Sequence, residues 1–310
     1  MDVVSIVIPT LNRPQPLRRA VESALAQARP ADLEIEILVV DNSADGNARA
    51  AVEALSASSD RLVRYVAAPA PGVANARNAG VSAATGRWIA FLDDDQEASP
   101  GWLAAHVATA RTTGADAVFG PAEARAEDGR AMGPFGPYFS RAIERPDAAD
   151  ITDLSAYLGT NNSMFDRMRC LSDDPPFDTS LNEFGGEDSL LLKRLVIAGR
   201  RFAWSDEGGV VEWVPPRRLN WAYVRKRKFL SGQIRSFVPH MLKPTRWGTI
   251  ALWMAVGAAQ AVAAGAMAAA LAPIDRTRSA KALATAFGGL GKILWMPRFR
   301  SAMYGSGLVS

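Results

Sequence analysis

Arg87-Trp88-Ile89-Ala90-Phe91-Leu92-Asp93-Asp94-Asp95 decides how the 310-residue chain is read. An uncharged run from Trp88 to Leu92 stops at three consecutive carboxylates, the pattern of a buried parallel strand delivering acidic groups at its carboxyl end. In an open α/β sheet that edge is where ligands bind. Adjacent carboxylates repel one another, so a cation or a hydrogen-bond network has to compensate them. An oxygen-only donor set favours a hard divalent ion, Mg2+ or Mn2+, which keeps waters and completes its shell with phosphate oxygens. The bland alternative is a solvated acidic loop, and the flanking sequence weighs against it.

Upstream, Val3–Ile8 reads as a strand ending at Pro9-Thr10, followed by the loop Leu11-Asn12-Arg13-Pro14. Leu17, Ala20, Val21, Ala24 and Leu25 then recur at helical spacing behind Pro16. Glu34–Val40 is a second strand, ending at Asp41-Asn42-Ser43, and Ala48, Ala51, Val52 and Leu55 mark its helix. A third strand covers 61–66. After Pro69, Pro71 and Gly72, residues 73–84 read as a helix, with Gly86 ending the element before the acidic strand. Repeated strand–helix units predict an α/β fold with a mainly parallel sheet and helices on both faces. Asp41 and Asp93–Asp95 would then stand along one edge of it. Neither G-x-G-x-x-G after the first strand nor G-x-x-x-x-G-K is present, which disfavours a Rossmann dinucleotide site or a P-loop. Further on, 101–113 reads as a helix and 117–119 as a strand, while 120–160 carries several Gly and Pro and little periodicity.

The composition sets outer bounds. The single Cys170 excludes an internal disulfide framework and makes a reducing compartment the simpler expectation. His106 and His240 lie far apart in sequence and far from the acidic tip, so a zinc site is not expected. Val3–Ile8 is too short for a signal peptide. The net charge of +3 hides a segregation: residues 1–212 hold 20 Lys+Arg and 31 Asp+Glu, whereas 213–310 hold 15 and 1, the one acid being Asp275. That tail points to an anionic partner: lipid headgroups, a lipid diphosphate or nucleic acid.

Four motifs in order, Val4-Ser5-Ile6-Val7-Ile8-Pro9-Thr10-Leu11-Asn12-Arg13, Val39-Val40-Asp41-Asn42-Ser43, Gly72-Val73-Ala74-Asn75-Ala76-Arg77-Asn78-Ala79-Gly80 and Phe91-Leu92-Asp93-Asp94-Asp95, resemble the family-two glycosyltransferases of GT-A fold. A fifth, Gly185-Gly186-Glu187-Asp188 before an apolar-periodic helix, extends the match over roughly residues 3–215. The resemblance implies a GT-A catalytic domain over 1–215 and a nucleotide-diphosphate sugar as donor. It implies that Pro9, Thr10, Asn12 and Asp41 hold base and ribose, that Arg77 stands near the nucleotide or its phosphates, and that Asp93 and Asp94 support the nucleotide end. Asp95 would ligate the metal and Asp188 would be the base. It also places 120–160 on the acceptor side and Gly159–Phe165 on a strand beneath the donor sugar. Plainer readings stand beside these: Asn12 and Asn78 as turn or capping residues, Arg77 as a salt bridge, Asp188 as a helix-start acid, Asn161 or Asn162 as an ordinary turn. Where many relatives carry a valine-x-histidine strand, this chain has Val210-Val211-Glu212-Trp213-Val214. Glu212 either replaces the histidine as an oxygen ligand of the metal or pairs with Arg217 or Arg218.

The chemistry asks for such residue types. Displacing a nucleoside diphosphate from an anomeric carbon builds charge on the leaving oxygen, which a metal at Asp95 would neutralise. The acceptor hydroxyl must lose its proton while attacking the opposite face, which calls for a carboxylate, Asp188. Paired glycines before it allow close backbone approach at a helix start, and Gly199 suits the helix end.

Residues 216–310 are expected to form a helical, membrane-associating region. Leu219–Phe237 mixes Trp221, Tyr223, Val224, Phe229 and Leu230 with Arg225-Lys226-Arg227-Lys228, which fits a basic amphipathic helix on an anionic membrane surface; the alternative is a solvated face over a core stripe. Nucleic acid is not expected, because no reading motif accompanies the charge. Residues 247–272 carry no charge and are long enough to cross a bilayer, yet Ala dominates them. Gly257, Ala261, Gly265 and Ala269 form a small-residue stripe at four-residue spacing. Basic residues flank the segment on both sides, so an in-plane or re-entrant hairpin completed by 282–296 is preferred over a span; homo-oligomerisation through these helices is third. The expected place is the cytoplasmic face of a bacterial-type inner membrane, and the acceptor a lipid-linked glycan or polysaccharide. A nucleotidyltransferase and a non-catalytic nucleotide-sugar-binding protein are the rival functions.

Overall fold

A computed structural model describes residues 2–28, 30, 32–57, 59 and 62–299. In chain order it contains β1 (Asp2–Thr10), α1 (Pro14–Leu25), β2 (Leu33–Asp41), α2 (Arg49–Ala57), β3 (Leu62–Ala67), α3 (Val73–Ala83), β4 (Trp88–Phe91), β5 (Gln96–Ala98) and α4 (Trp102–Thr113). Next come β6 (Ala117–Phe119), β7 (Ala122–Ala126), α5 (Gly136–Phe139), β8 (Ser163–Asp166), α6 (Arg167–Cys170), α7 (Glu187–Ile197), β9 (Phe202–Trp204), β10 (Val210–Val214), α8 (Trp221–Met241), α9 (Trp247–Leu271) and α10 (Arg276–Ile293). Position 61 of the expected third strand lies outside the described residues.

The described chain divides into two compact units, one running through Arg125 and including Phe139–Trp213, the other made of Ala126–Tyr138 and residues 214–299. The first unit holds a seven-stranded sheet in the order β3-β2-β1-β4-β8-β6-β9. β1 runs parallel to β2 and β4, and β2 to β3, while β8 is antiparallel to both its neighbours. The mainly parallel α/β sheet expected from the sequence is therefore present, with one reversed strand. Alternation along β1 explains the two layers: Val4, Ile6 and Ile8 pack with Leu17, Val21, Val52 and Val107 on one face. Val7 packs with Val81, Phe177 and Leu191 on the other. Burial on both faces accounts for the apolar runs in β1, β2 and β4.

Register fixes what stands at the carboxyl edge. Thr10 is paired with Asp41, and Val7 with Phe91, so the ends of β1, β2 and β4 come out together. A small sheet in the order β5-β10-β7 continues beyond the acidic tip. The sequence reading omitted β5, β7 and β9, each of five residues or fewer and too short for periodicity to register.

In the second unit α9 and α10 form an antiparallel pair joined by a tight turn at Asp275, whose carboxylate caps α10 by accepting from the amides of Thr277 and Arg278. Asn220 caps α8 in the same way. Close approach depends on glycine: a Cβ at Gly257 would meet the Gly289 carbonyl at 2.7 Å, and one at Gly291 would meet the backbone of Phe229. The expected small-residue stripe holds in part. Gly257 and Ala261 pack against Gly289, but Gly265 meets nothing within 4 Å and Ala268 is buried instead of Ala269. A seven-residue repeat, 250-257-264, carries the contact rather than strict four-residue spacing.

Candidate active site

The acidic strand end is a tight turn. The amide of Asp93 donates to Gln96 Oε1 (3.2 Å) and the amide of Gln96 to the Asp93 carbonyl (3.0 Å). Its three carboxylates go different ways. Asp94 is buried and accepts from Thr10 Oγ1 (2.8 Å) and the Arg13 guanidinium (2.9 Å), so it ties the tip to the loop after β1. Asp95 accepts from the same Arg13 nitrogen at 3.0 Å, and its carbonyl accepts from the Trp213 amide, which brings β10 alongside. Asp93 faces Arg77, with a nitrogen 3.7 Å from its carboxylate.

Arg77, on α3, is buried and joins the tip to the start of α7. One of its nitrogens stands 2.7 Å from both Glu187 Oε1 and Asp188 Oδ1. A place near the nucleotide or its phosphates and a salt bridge were both open for this residue, and the structure shows its guanidinium bridging carboxylates. Asp188 also accepts from Thr160, at Oδ1 from the hydroxyl (2.9 Å) and at Oδ2 from the amide (3.2 Å). Gly185 and Gly186 both take left-handed φ values, 76° and 98°, open to glycine with little cost, and this turn delivers both acids in the first helical turn.

Charge crowding shows in the titration of the acids. Burial pushes Asp93 up to about 7, with the charges of Asp95, Asp188 and Asp94 adding to it against Arg77. Burial and then the charge of Asp95 hold Asp94 at about 6 despite Arg13 and Thr10. Glu187 is likewise pushed up to about 7 by burial and by Asp188. For Arg13 burial works downward, but the charges of Asp94 and Asp95 outweigh it and keep the guanidinium protonated. Arg141 is held down at about 10 by burial, with the charges of Glu212, Asp93 and Asp188 opposing.

The base-and-ribose candidates stand along the same edge. Thr10, Asn12, Arg13, Pro14, Leu17, Asn47 and Ala48 line a cavity of about 240 Å³. Asn12 has φ 55° and its side-chain oxygen accepts from Asn47 (2.7 Å). Pro9 is half-buried at the same strand end. Asp41 is buried, and its oxygens accept from the amides of Ser43 and Ala48 and from the Tyr65 hydroxyl. Glu212 sits opposite Gln96 in register, beside the acidic tip.

Asn162, one of two residues weighed for sugar contacts, is fully buried and spent internally. It accepts from Trp102 Nε1 (2.7 Å) and donates to the carbonyls of Pro121 and Gly208. Asn78 clamps Phe177 through both its amide and its carbonyl. Sequence reasoning passed over Thr160, Glu187, Arg13 and Arg141 as working residues. Glu187 and Arg13 lay inside recognised motifs. Arg141 had no local signal: it sits in an aperiodic stretch and gains meaning only by donating to the carbonyls of Gly120, Asn161 and Asn162.

The donor chemistry suits a hard cation. The acids Asp93, Asp94, Asp95, Glu187, Asp188 and Glu212 outnumber the guanidinium groups of Arg13, Arg77 and Arg141 around them. Burial first, and then neighbouring carboxylates, raise Asp93 and Asp94, and a divalent ion would favour their charged forms. Among the described residues no three such side chains form a closed metal cage. An ion held by one or two carboxylates completes its shell with phosphate oxygens, as Mg2+ and Mn2+ do in phosphate-handling sites.

Comparison with known proteins identifies the family. The profile described as "Glycosyl transferase family 2" matches residues 5–167. Succinoglycan biosynthesis protein ExoM of Rhizobium meliloti is 35% identical over 234 residues, 74% of this chain and 73% of that protein. Glycosyltransferase AglE of Haloferax volcanii is 26% identical over 83% of this chain and 81% of its own. Mannosyltransferase PcManGT from Pyrobaculum calidifontis, solved with GDP-Man and Mn2+, superposes with a TM-score of 0.62 at 22% identity, covering 94% of this chain and 87% of that one. With the sheet order, the motif positions and this match in agreement, the chain belongs to glycosyl transferase family 2 and is a glycosyltransferase.

Proposed function

We propose that the enzyme moves a sugar, with inversion, from a nucleoside-diphosphate donor to a hydroxyl of a growing or lipid-linked polysaccharide, with Asp188 as general base. The observation that carries this reading is Arg77, which binds Asp188 and Glu187 and faces Asp93, so that one guanidinium brings the candidate base and the acidic tip together. Oδ1 of Asp188 is taken by Arg77 and by the Thr160 hydroxyl, while Oδ2 meets the Thr160 amide at a longer 3.2 Å. Oδ2 therefore keeps a lone pair for the acceptor proton, and Arg77 and Thr160 fix its direction.

As the acceptor oxygen attacks the anomeric carbon, its proton passes to Asp188 and the bond to the diphosphate oxygen breaks, with the electron pair leaving on the diphosphate. A divalent ion at Asp95, beside Asp93, would stabilise that leaving charge. Asp94 and Arg13 brace the tip through Thr10. The cavity lined by Thr10, Asn12 and Asn47 would take base and ribose, with Asp41 stiffening its wall. The Mn2+ and GDP-Man bound by PcManGT, and the polysaccharide in the name of ExoM, support these assignments. The exposed apolar face of α9 and the basic tail support attachment to the cytoplasmic face of a membrane, with α9 lying in its plane.

A donor screen with Mg2+ or Mn2+, reading release of nucleoside diphosphate with acceptor present, tests the reaction. Asp188→Asn should lower kcat by about a hundredfold to ten-thousandfold with donor KM little changed. An unchanged kcat removes Asp188 from the mechanism, and loss of inversion in the product removes the single-displacement reading.

A further inference from the structure

The second unit contains a cluster of cations that the transfer chemistry does not use. Lys228 and Arg235 lie seven residues apart on α8, two turns along one face. Between them Gly232 meets the Gly288 carbonyl of α10. A Cβ at Gly288 would lie 3.9 Å from Lys228 Cβ and 3.9 Å from Gln260 Nε2 of α9, so all three helices meet at that glycine. Lys292, one turn after Gly288, donates to Gln260 Oε1 at 2.5 Å. Lys228 Nζ lies 5.3 Å from the Tyr138 ring and the Arg235 guanidinium 5.7 Å from the Trp253 ring.

The charges felt by Lys228 are those of Arg227 and Arg235, and those felt by Lys292 are Arg235 and Lys228. Partial burial and then these like charges hold both amines below their ordinary value. Within the second unit Asp275 is engaged at the start of α10 with Thr277 and Arg278, and Asp128 with Arg130. Like charges gathered where three helices meet repel one another, and a multivalent anion turns that repulsion into attraction. Next to that meeting point, α9 presents Leu252 and Val256 to solvent, each within a turn of Trp253 or Gln260, in a helix with no charged side chain.

We propose that Lys228, Arg235 and Lys292 form a binding site for the phosphate or diphosphate headgroup of a lipid, whose apolar chain lies along Leu252 and Val256. One guanidinium and two ammonium groups suit a headgroup with more than one negative charge, and basic groups between helices are a known way to hold one. This site rests on the lipid-linked acceptor of the proposed function, but lipid binding is read without sugar transfer, so either can fail alone.

The test uses the full chain and phosphatidylcholine vesicles with and without a minor fraction of a polyprenyl diphosphate. Amine-reactive labelling followed by mass spectrometry should show Lys228 and Lys292 protected about tenfold by the diphosphate-bearing vesicles, with the exposed Lys193 unchanged. In flotation, the pair Lys228→Gln and Lys292→Gln should lose about thirtyfold in affinity, and the Arg pair should keep it. Equal protection by vesicles without the diphosphate lipid overturns the assignment. So does equal protection by inorganic diphosphate at the same phosphate concentration, or stronger protection by a single-stranded oligonucleotide. Because labelling needs no variant, a misfolded double substitution leaves the test intact.

Discussion

Arg77 shows how one residue acquires its role from distance. Its motif neighbours Asn75 and Asn78 are close in sequence, but its partners Asp93, Glu187 and Asp188 come from two later segments. Removing a buried cation leaves Glu187 and Asp188 facing each other without it, so Arg77→Ala should cost about 3–5 kcal/mol in a chemical-denaturation series. Glu187 carries a pH signature of its own. The folded carboxyl keeps its proton up to about 7, whereas its ordinary value is 4.5. Between those values the folded state binds more protons than the unfolded one, so stability falls as pH rises through that window and levels off above it. Melting temperature measured from pH 4.5 to 8 should therefore drop less steeply in Glu187→Gln than in the wild type. An identical slope would mean that Glu187 ionises normally. The acids of this site could be named from the sequence, since Asp93–Asp95 and Asp188 follow recognisable strand-end and glycine-pair signals. Arg141 could not, because a guanidinium held by three backbone carbonyls leaves no sequence pattern.

The elements follow two rules of different reach. Long strands buried on both faces, and helices with a clear apolar stripe, announce themselves locally: β1, β2, α1 and α4 fall within a residue or two of their expected places, apart from an earlier start of α1 at Pro14. The helix–helix contacts of the second unit depend on which glycines face which partner. Gly232→Ala would push a methyl into the backbone of α10 at Gly288 and Gly291, where no side chain can move aside. The expected cost is about 1–3 kcal/mol. Gly265→Ala points into open space and should be neutral or stabilise the helix by up to about 1 kcal/mol. Thermal melts of the two variants side by side would separate a contact glycine of α8 from a surface glycine of α9.

For the whole molecule the segregation of charge is the dominant fact, −11 over residues 1–212 against +14 over 213–310. The acidic part holds the candidate active site, and the basic part carries α9, whose Trp247, Leu252, Val256, Val262 and Met267 are exposed. α9 is the described helix long and apolar enough to cross a membrane, with 17% of its most apolar window buried. Replacing two of its exposed residues, Leu252→Glu with Val256→Glu, should weaken vesicle flotation at least about tenfold while leaving the melting temperature near the wild-type value. Unaltered flotation would place the membrane contact elsewhere. Chelation with EDTA should abolish sugar transfer, and Mn2+ or Mg2+ should restore it, measured as nucleoside diphosphate released.

The sequence by itself determined the family, the parallel sheet and the edge at which the acids emerge, because strand burial and strand-end chemistry are written in consecutive residues. Only the tertiary structure decided that Arg77 couples Asp93 to Asp188, that Asn162 is a strut, and that Lys228, Arg235 and Lys292 come together where three helices pack. Those pairings join residues up to 111 positions apart. Chain folding sets such distances through packing against the whole core, and no local window of sequence encodes them.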